Sequence, residues 1–288
     1  MKNKLIIANL VLAFASDKFS ARAIKRATKD YIQTFIDIGM GEKKAGELCA
    51  CIMHLLRKVC SRALTLKKAE VLIVKEMSEY RVDGRGIREV LNEKLANRSN
   101  IVVSQIAPYL KSVTGPVIDF GCGDGSISQI LHDQMGLNIT GYDVTSYRLP
   151  SVSIPMVKFD GKTVPVADGR FEAAVVTNVI HHEADNERII KELTRVVSKK
   201  LVVIETVPNP TKNKHNAEAE KSRVFMNDYL YNRLFQFGAE IPVPGTYETA
   251  ENWPKRFAEH GWKTEVSVDL GIDQKIIRDR HHLYVFVK

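Results

Sequence analysis

The stretch Val117-Ile118-Asp119-Phe120-Gly121-Cys122-Gly123-Asp124-Gly125 has the residue types of a ligand loop: an apolar run, one acid, then alternate glycines. A backbone with glycine at 121, 123 and 125 can pass close to a ligand and take φ values that other residues resist. A nicotinamide-type dinucleotide turn repeats G-x-G-x-x-G, and its third glycine would stand at position 126, where this chain has Ser126. Asp119 also speaks against a diphosphate, since a carboxylate repels one and attracts a cationic group. Cys49, Cys51, His54 and Cys60 have the types of metal ligands but not the spacing: residues two apart on a helix project about 200° apart. No metal is expected there.

The elements that must position this loop can be read from periodicity. From Val117 onward, short apolar strands alternate with helical stretches. Val117–Phe120, Ile139–Tyr142, Met156–Phe159, Ala173–Thr177 and Leu201–Glu205 are expected as strands, and Ser126–Met135 and Asn186–Val197 as helices. Such alternation implies a parallel sheet with crossover helices, because parallel neighbours cannot be joined by a tight hairpin. Two more strands, Thr264–Asp269 and Leu283–Val287, are expected to pair with each other at the end of the sheet. Residues 1 to about 100 show apolar positions at three- and four-residue steps, as in Leu48, Ile52, Leu55, Leu56 and Val59, and predict four or five helices. Their breaks fall at Gly39-Met40-Gly41 and Asp83-Gly84-Arg85-Gly86. The segment 208–247, with five aromatic residues between Phe225 and Phe237, is expected as a cap inserted over the sheet.

With these residues in place, Val117–Gly125 resembles motif I of class I S-adenosylmethionine (SAM)-dependent methyltransferases, of the form acid-x-G-x-G-x-G. The similarity continues through Gly141-Tyr142-Asp143, Phe159-Asp160-Gly161, the strand Ala174–Thr177 with Asn178-Val179-Ile180-His181-His182, and Ile189, Glu192, Leu193, Arg195 and Val196. It is strong over residues 100–207, looser over 250–288, and closest in kind to the methyltransferase type 11-like, small-molecule group. One departure is Ser198-Lys199-Lys200, where many relatives have Pro-Gly-Gly before the fifth strand. The resemblance implies a Rossmann-like α/β fold with a seven-stranded, mostly parallel sheet. The methyltransferase domain is then expected over 101–288, with the cap inserted in it and a separate helical region over 1–100.

The resemblance also implies the cofactor SAM, with S-adenosylhomocysteine as product, and assigns roles. Asp143, with Val144 beside it, is expected to bind the ribose hydroxyls, since an ionised carboxylate can accept two hydrogen bonds from a vicinal diol. Asp160-Gly161 is expected at the adenine amine, although an Asp-Gly pair is also a common turn. Asp119, Gly121, Cys122, Gly123 and Gly125 are expected to meet the amino-acid end of the cofactor, with Asn178 beneath it. Methyl transfer to a hydroxyl gains from a general base, and His182, then His181, are the first candidates because they follow the fourth strand. Glu205 and Thr206 are second choices. Tyr229, Tyr231 and Phe235 are expected to wall an acceptor pocket, the alternative being that aromatics at helical spacing are core.

Composition sets the remaining bounds. The chain has 288 residues, 44% hydrophobic and 26% charged, which excludes a disordered or low-complexity protein. Residues 1–100 hold 20 Lys+Arg against 11 Asp+Glu, so the net charge of +8 lies entirely in the first third. That region is a lid or a platform for an acidic partner such as a carrier protein. Nucleic acid is disfavoured, because acids interrupt the basic residues and the fourth-strand loop lacks Asn/Asp-Pro-Pro-Tyr/Phe. Lys2, Lys4, Leu5–Leu12 and Ala13-Phe14-Ala15 imitate a secretory signal, yet Asn9 interrupts it and the apolar period continues beyond it. Four irregularly placed cysteines are expected as reduced thiols, in a cytoplasmic protein without membrane spans. The expected activity is methylation of a small-molecule acceptor in secondary or cofactor metabolism, at oxygen or carbon. The alternatives are a carrier-bound or RNA substrate, and a SAM-binding scaffold without turnover.

Overall fold

The computed structural model describes residues 2–15, 18–145, 147–211, 213–235, 241–274 and 276–288, in two compact units. One unit gathers Asn97–Thr206, Glu248–Leu270 and His281–Lys288. The other gathers Met1–Ala96, Val207–Tyr247 and Gly271–Arg280.

The helical unit holds α1 (Lys2–Ala13), α2 (Lys18–Asp37), α3 (Glu42–Cys60), α4 (Leu66–Glu79) and α5 (Ile87–Leu95). Between α4 and α5 lies a two-stranded hairpin, β1 (Arg81–Val82) and β2 (Arg85–Gly86). Its turn stands at Asp83-Gly84, where both residues have positive φ, so the predicted break is a tight β-turn. Thr65 caps α4 by accepting from the backbone N–H of Lys68.

The expected cap belongs to this unit. Its helix α9 (Lys214–Tyr229), continued by a π-helical stretch Leu230–Phe235, packs on α2. The apolar core joins Tyr31, Phe35, Ile52 and Leu56 to Phe225, Tyr229, Phe235 and Ile276. The boundary expected at residue 100 is thus replaced by a helical unit of three chain segments. Residues 236–240, including the last two of the aromatic run, lie outside the described residues.

The α/β unit contains α6 (Arg98–Ile106), β3 (Val117–Phe120), α7 (Ser126–Met135), β4 (Ile139–Asp143), β5 (Met156–Lys158) and β6 (Phe171–Thr177). There follow α8 (Asn186–Val196), β7 (Val197–Val207), α10 (Asn252–Ala258), β8 (Lys263–Gly271) and β9 (Arg280–Val287). Seven strands form one sheet in the order β5-β4-β3-β6-β7-β9-β8. The pairs β4–β5, β3–β4, β3–β6 and β6–β7 are parallel. The last two strands neighbour each other, with β9 between β7 and β8. All four residues of β3 are buried, as a strand covered on both faces requires. Helix α8 turns Ile189, Ile190, Leu193 and Val196 inward and closes its last turn with Arg195, which favours the negative end of the helix.

The chain runs outward from β3 through β4 to β5, then returns to the other side of β3 for β6 and β7. This reversal between β3 and β6 is a topological switch point, where open α/β sheets bind ligands outside the carboxyl ends of their strands.

Candidate functional site

The carboxyl ends of β3, β4, β5 and β6 bring together most of the residues singled out in the sequence. Asp119 pairs in register with Gly141 on one side and Val175 on the other, so it sits at the centre of the sheet. Its carboxylate is buried. Oδ2 accepts from the Ser128 hydroxyl at the start of α7, while Oδ1 has no partner among the described residues. Burial pushes its pKa up to about 7, opposed by the Ser128 hydroxyl and increased by the charges of Asp143 and Asp124.

The glycine-rich turn follows. Gly121 donates to Tyr142 O at 2.7 Å and has φ +77°, and a Cβ there would lie 2.5 Å from a methyl of Val179. Glycine at 121 therefore lets the segment after β6 dock on the turn after β3. Gly123 has φ +55° and nothing within 4 Å of the place of its missing Cβ, so the loop is open at that residue. Gly125 leads into α7. Cys122 faces inward: its thiol lies 2.6 Å from where a Cβ would stand at Gly141, and burial pushes its pKa up, so the loop contributes its backbone rather than a reactive sulfur.

Asp143 ends β4. Oδ2 accepts from Gly123 N–H at 2.9 Å, and Oδ1 accepts from the backbone N–H and the hydroxyl of Thr145 at 2.8 and 2.9 Å. The carboxylate thus ties two loops together, and three of its roughly four acceptor positions are engaged. Val144 is exposed and touches the next loop, since a Cβ at Gly161 would stand 2.8 Å from it. Asp160 is exposed and accepts from the N–H groups of Thr163 and Lys162, which hold its carboxyl below the usual range. The Asp-Gly turn is real, and Oδ2 remains for a further donor.

Beyond β6, Asn178 has φ +56°, donates its N–H to Ile204 O at 2.8 Å and accepts from the Thr206 hydroxyl at 3.2 Å. This left-handed residue turns the chain sharply into the 3-10 turn Ile180–His182. Glu205, one residue beyond Ile204 in the partner strand β7, is fully buried. Its Oε1 accepts from Val179 N–H at 2.9 Å and Ile180 N–H at 2.7 Å, and its Oε2 lies 2.6 Å from His181 Nδ1. His181 is buried and His182 half-buried, with ring centroids 4.2 Å apart.

Tyr229, Tyr231 and Phe235 are placed differently from expectation. Tyr229 and Phe235 belong to the core of the helical unit, and Tyr231 packs against it, partly buried. Tyr229 is buried with its hydroxyl donating to Glu70, and Phe235 meets the Phe35 ring edge-on at 5.8 Å. Tyr231 donates to Ile276 O and shares a hydrogen bond with Thr34. Their spacing on a helical stretch buries large apolar faces, and core packing uses them up. Cys49 is likewise buried on α3 while His54 is exposed, so the two do not share a face.

Residues 118–204 match the family model described as a methyltransferase domain. That segment is similar to a methyltransferase domain, and the sheet it builds has the strand order described above. A comparison with curated proteins by sequence gave no match. Among solved structures, a complex from Haloferax volcanii between the Trm112 methyltransferase activator and a methyltransferase aligns with a TM-score of 0.50 at 12% identity, covering 68% of this chain and 92% of that one. Geranyl diphosphate methyltransferase in complex with SAM aligns at 0.50 and 13%, covering 69% and 89%. The YcgJ protein from Bacillus subtilis aligns at 0.50 and 12%, covering 66% and 98%. These likenesses establish the methyltransferase fold. Among the described residues, no helix is long and apolar enough to cross a membrane.

Three features of the methyltransferase domain escaped the sequence: the Ser128 bond to Asp119, the Thr145 clamp on Asp143, and the grip of Glu205 on the histidine turn. Ser128 and Thr145 carry no spacing signal. Glu205 stood out only as an acid at the end of a strand.

Proposed function

We propose that the methyltransferase domain binds SAM at the carboxyl ends of β3 to β6 and transfers its methyl group to a small-molecule acceptor, at oxygen or carbon. The observation that carries this reading is the buried Oδ1 of Asp119, which has no partner among the described residues. A buried carboxylate oxygen left without a donor is destabilising, and an ammonium at the amino-acid end of the cofactor is the donor that its charge favours. The space at Gly123 and the acceptors of Asp143 and Asp160 suit the rest of the molecule: a backbone that can be approached, one remaining acceptor position of Asp143 for a ribose hydroxyl, and a carboxylate oxygen of Asp160 for the adenine amine.

Bound there, the sulfonium supplies an activated methyl carbon and a neutral thioether leaving group. The protein then has mainly to align a nucleophile and hold a proton. His182 and His181, on the turn docked against Gly121, are the groups for the proton. An acceptor presented by an acidic carrier protein is the second reading, favoured by the exposed Lys25 and Lys29 on α2.

Single-turnover formation of S-adenosylhomocysteine tests this, with a metabolite panel, an acidic carrier protein and tRNA as separate acceptors. Transfer to a small molecule is expected. Transfer to tRNA alone would overturn the acceptor class, and SAM binding without any turnover would leave a scaffold.

A further inference from the structure

We propose that α1 and the basic corner between α3 and α4 form one docking surface for an anionic lipid bilayer, with α1 lying in the interface between headgroups and acyl chains. The inference concerns the helical unit and is independent of the methyl-transfer reading.

One stripe of α1 holds it to the unit: Ile6, Leu10 and Ala13 are buried in the helical core, and Asn9 Nδ2 donates to Pro244 O at 2.7 Å. The opposite face is apolar as well. Leu5, Ile7, Val11 and Leu12 are exposed, Leu12 by 62%, and with the exposed Ala8 they cover roughly 160° of a helix that turns about 100° per residue. A helix on a protein surface ordinarily turns polar residues outward, so an apolar face of this width calls for an apolar medium. Lys4 shares the face, and its long stem lets the ammonium reach a headgroup while the methylenes stay among the leucines. The 12 residues of α1 are too few to cross a bilayer and enough to lie in its interface.

The charge lies beside it. Residues 48–69 contain no Asp or Glu and five cations: Arg57 and Lys58 at the end of α3, Arg62 in the connection, and Lys67 and Lys68 at the start of α4. All five are exposed. Lys67 and Lys68 stand in a first helical turn that has no acid, where the positive end of the helix disfavours them. Cations placed where they weaken their own helix point to an external anion. The two halves of the surface meet where the Arg57 guanidinium lies over the ring of Phe14, just past the end of α1, at 5.6 Å. Residues 1–16 also lack Asp and Glu, so neither stretch carries a carboxylate to repel a phosphate headgroup. A second copy of the chain would set two basic, acid-free surfaces against each other, and a protein groove would have to match the convex side of a helix. A fluid bilayer takes that shape and supplies the anions. An apolar anchor alone binds marginally, and one joined to a basic patch binds stably.

The test is sedimentation of the full chain with vesicles of phosphatidylglycerol and phosphatidylcholine in equal parts, compared with vesicles of phosphatidylcholine alone. Binding to the anionic vesicles is expected, weaker by about tenfold or more on the neutral ones. Leu12→Gln is expected to weaken it about tenfold. Lys58→Gln and Arg62→Gln together should weaken it about fivefold for each charge removed. Leu12→Trp is expected to keep binding, with tryptophan fluorescence that shifts to the blue on anionic vesicles and is quenched by lipid brominated on its acyl chains. These side chains are exposed, so circular dichroism should be unchanged, and if Leu12→Gln unfolds, Val11→Gln takes its place. Equal binding to both vesicles, binding undiminished by Leu12→Gln, or a Leu12→Trp signal that stays that of an indole in water overturns the inference. Binding to neither vesicle overturns it too. A lipid-free dimer lost in Leu12→Gln would then assign the face to a second copy, and a complex with an acidic carrier protein lost in the same variant would assign it to a protein.

Discussion

Asp119 is a buried acid whose pKa is pushed up to about 7, mainly by loss of solvent, and this has a measurable sign. Between its ordinary value of 3.8 and about 7, the folded chain holds a proton that the unfolded chain has released. The folded state therefore loses stability as pH rises through that window, and the loss is complete above it. Asp119→Asn removes the titration. The melting temperature of the variant relative to wild type is expected to rise from pH 4 to pH 7, and a difference flat in pH would show that the carboxyl is not buried as described. An ammonium donor brought to Oδ1 favours the ionised form, so SAM binding near pH 6.5 is expected to expel a proton, seen as a calorimetric enthalpy that depends on the buffer. Asp119 could be singled out in the sequence because motif, strand and turn lie within nine consecutive residues. Its missing partner was not legible, since that depends on what α7 brings to it.

At the scale of elements, the turn after β3 and the turn after β6 form one object joined at Gly121 and Val179. Gly121→Ala places a methyl 2.5 Å from the Val179 side chain on a backbone at φ +77°. Strain of this kind costs on the order of 1–3 kcal/mol. A melting point lowered by several degrees and weakened SAM binding are expected together, whereas Gly46→Ala, inside α3 with nothing within 4 Å, should leave SAM binding unchanged and raise the melting point slightly. Strand and helix positions in the α/β unit were readable because each is a local period. The junction was not, because Glu205 and His181 are 24 residues apart in sequence and meet only through the pairing of β6 with β7.

At the scale of the molecule, the basic first third is not a separate region. Arg26 pairs with the buried Glu220, Arg22 donates to Asn216, and Arg223 holds Asp30, so α2 and α9 share charged contacts as well as an apolar core. Part of the basic excess is thus structural. The sequence hid this because the 208–247 insertion and the 271–280 segment, each unremarkable alone, complete a core begun 200 residues earlier. Phe35→Ala is expected to destabilise the helical unit by about 3–5 kcal/mol. Faster hydrogen exchange should appear in α9 as well as α2, and exchange confined to α2 would separate the two. The central claim, that the carboxyl ends of β3 to β6 hold SAM, is tested most directly by calorimetric titration of SAM into the intact chain and into Asp143→Ala. Saturable one-to-one binding, weakened about tenfold or more by the substitution, is predicted. Equal binding by the two proteins, or none by the wild type, would contradict it.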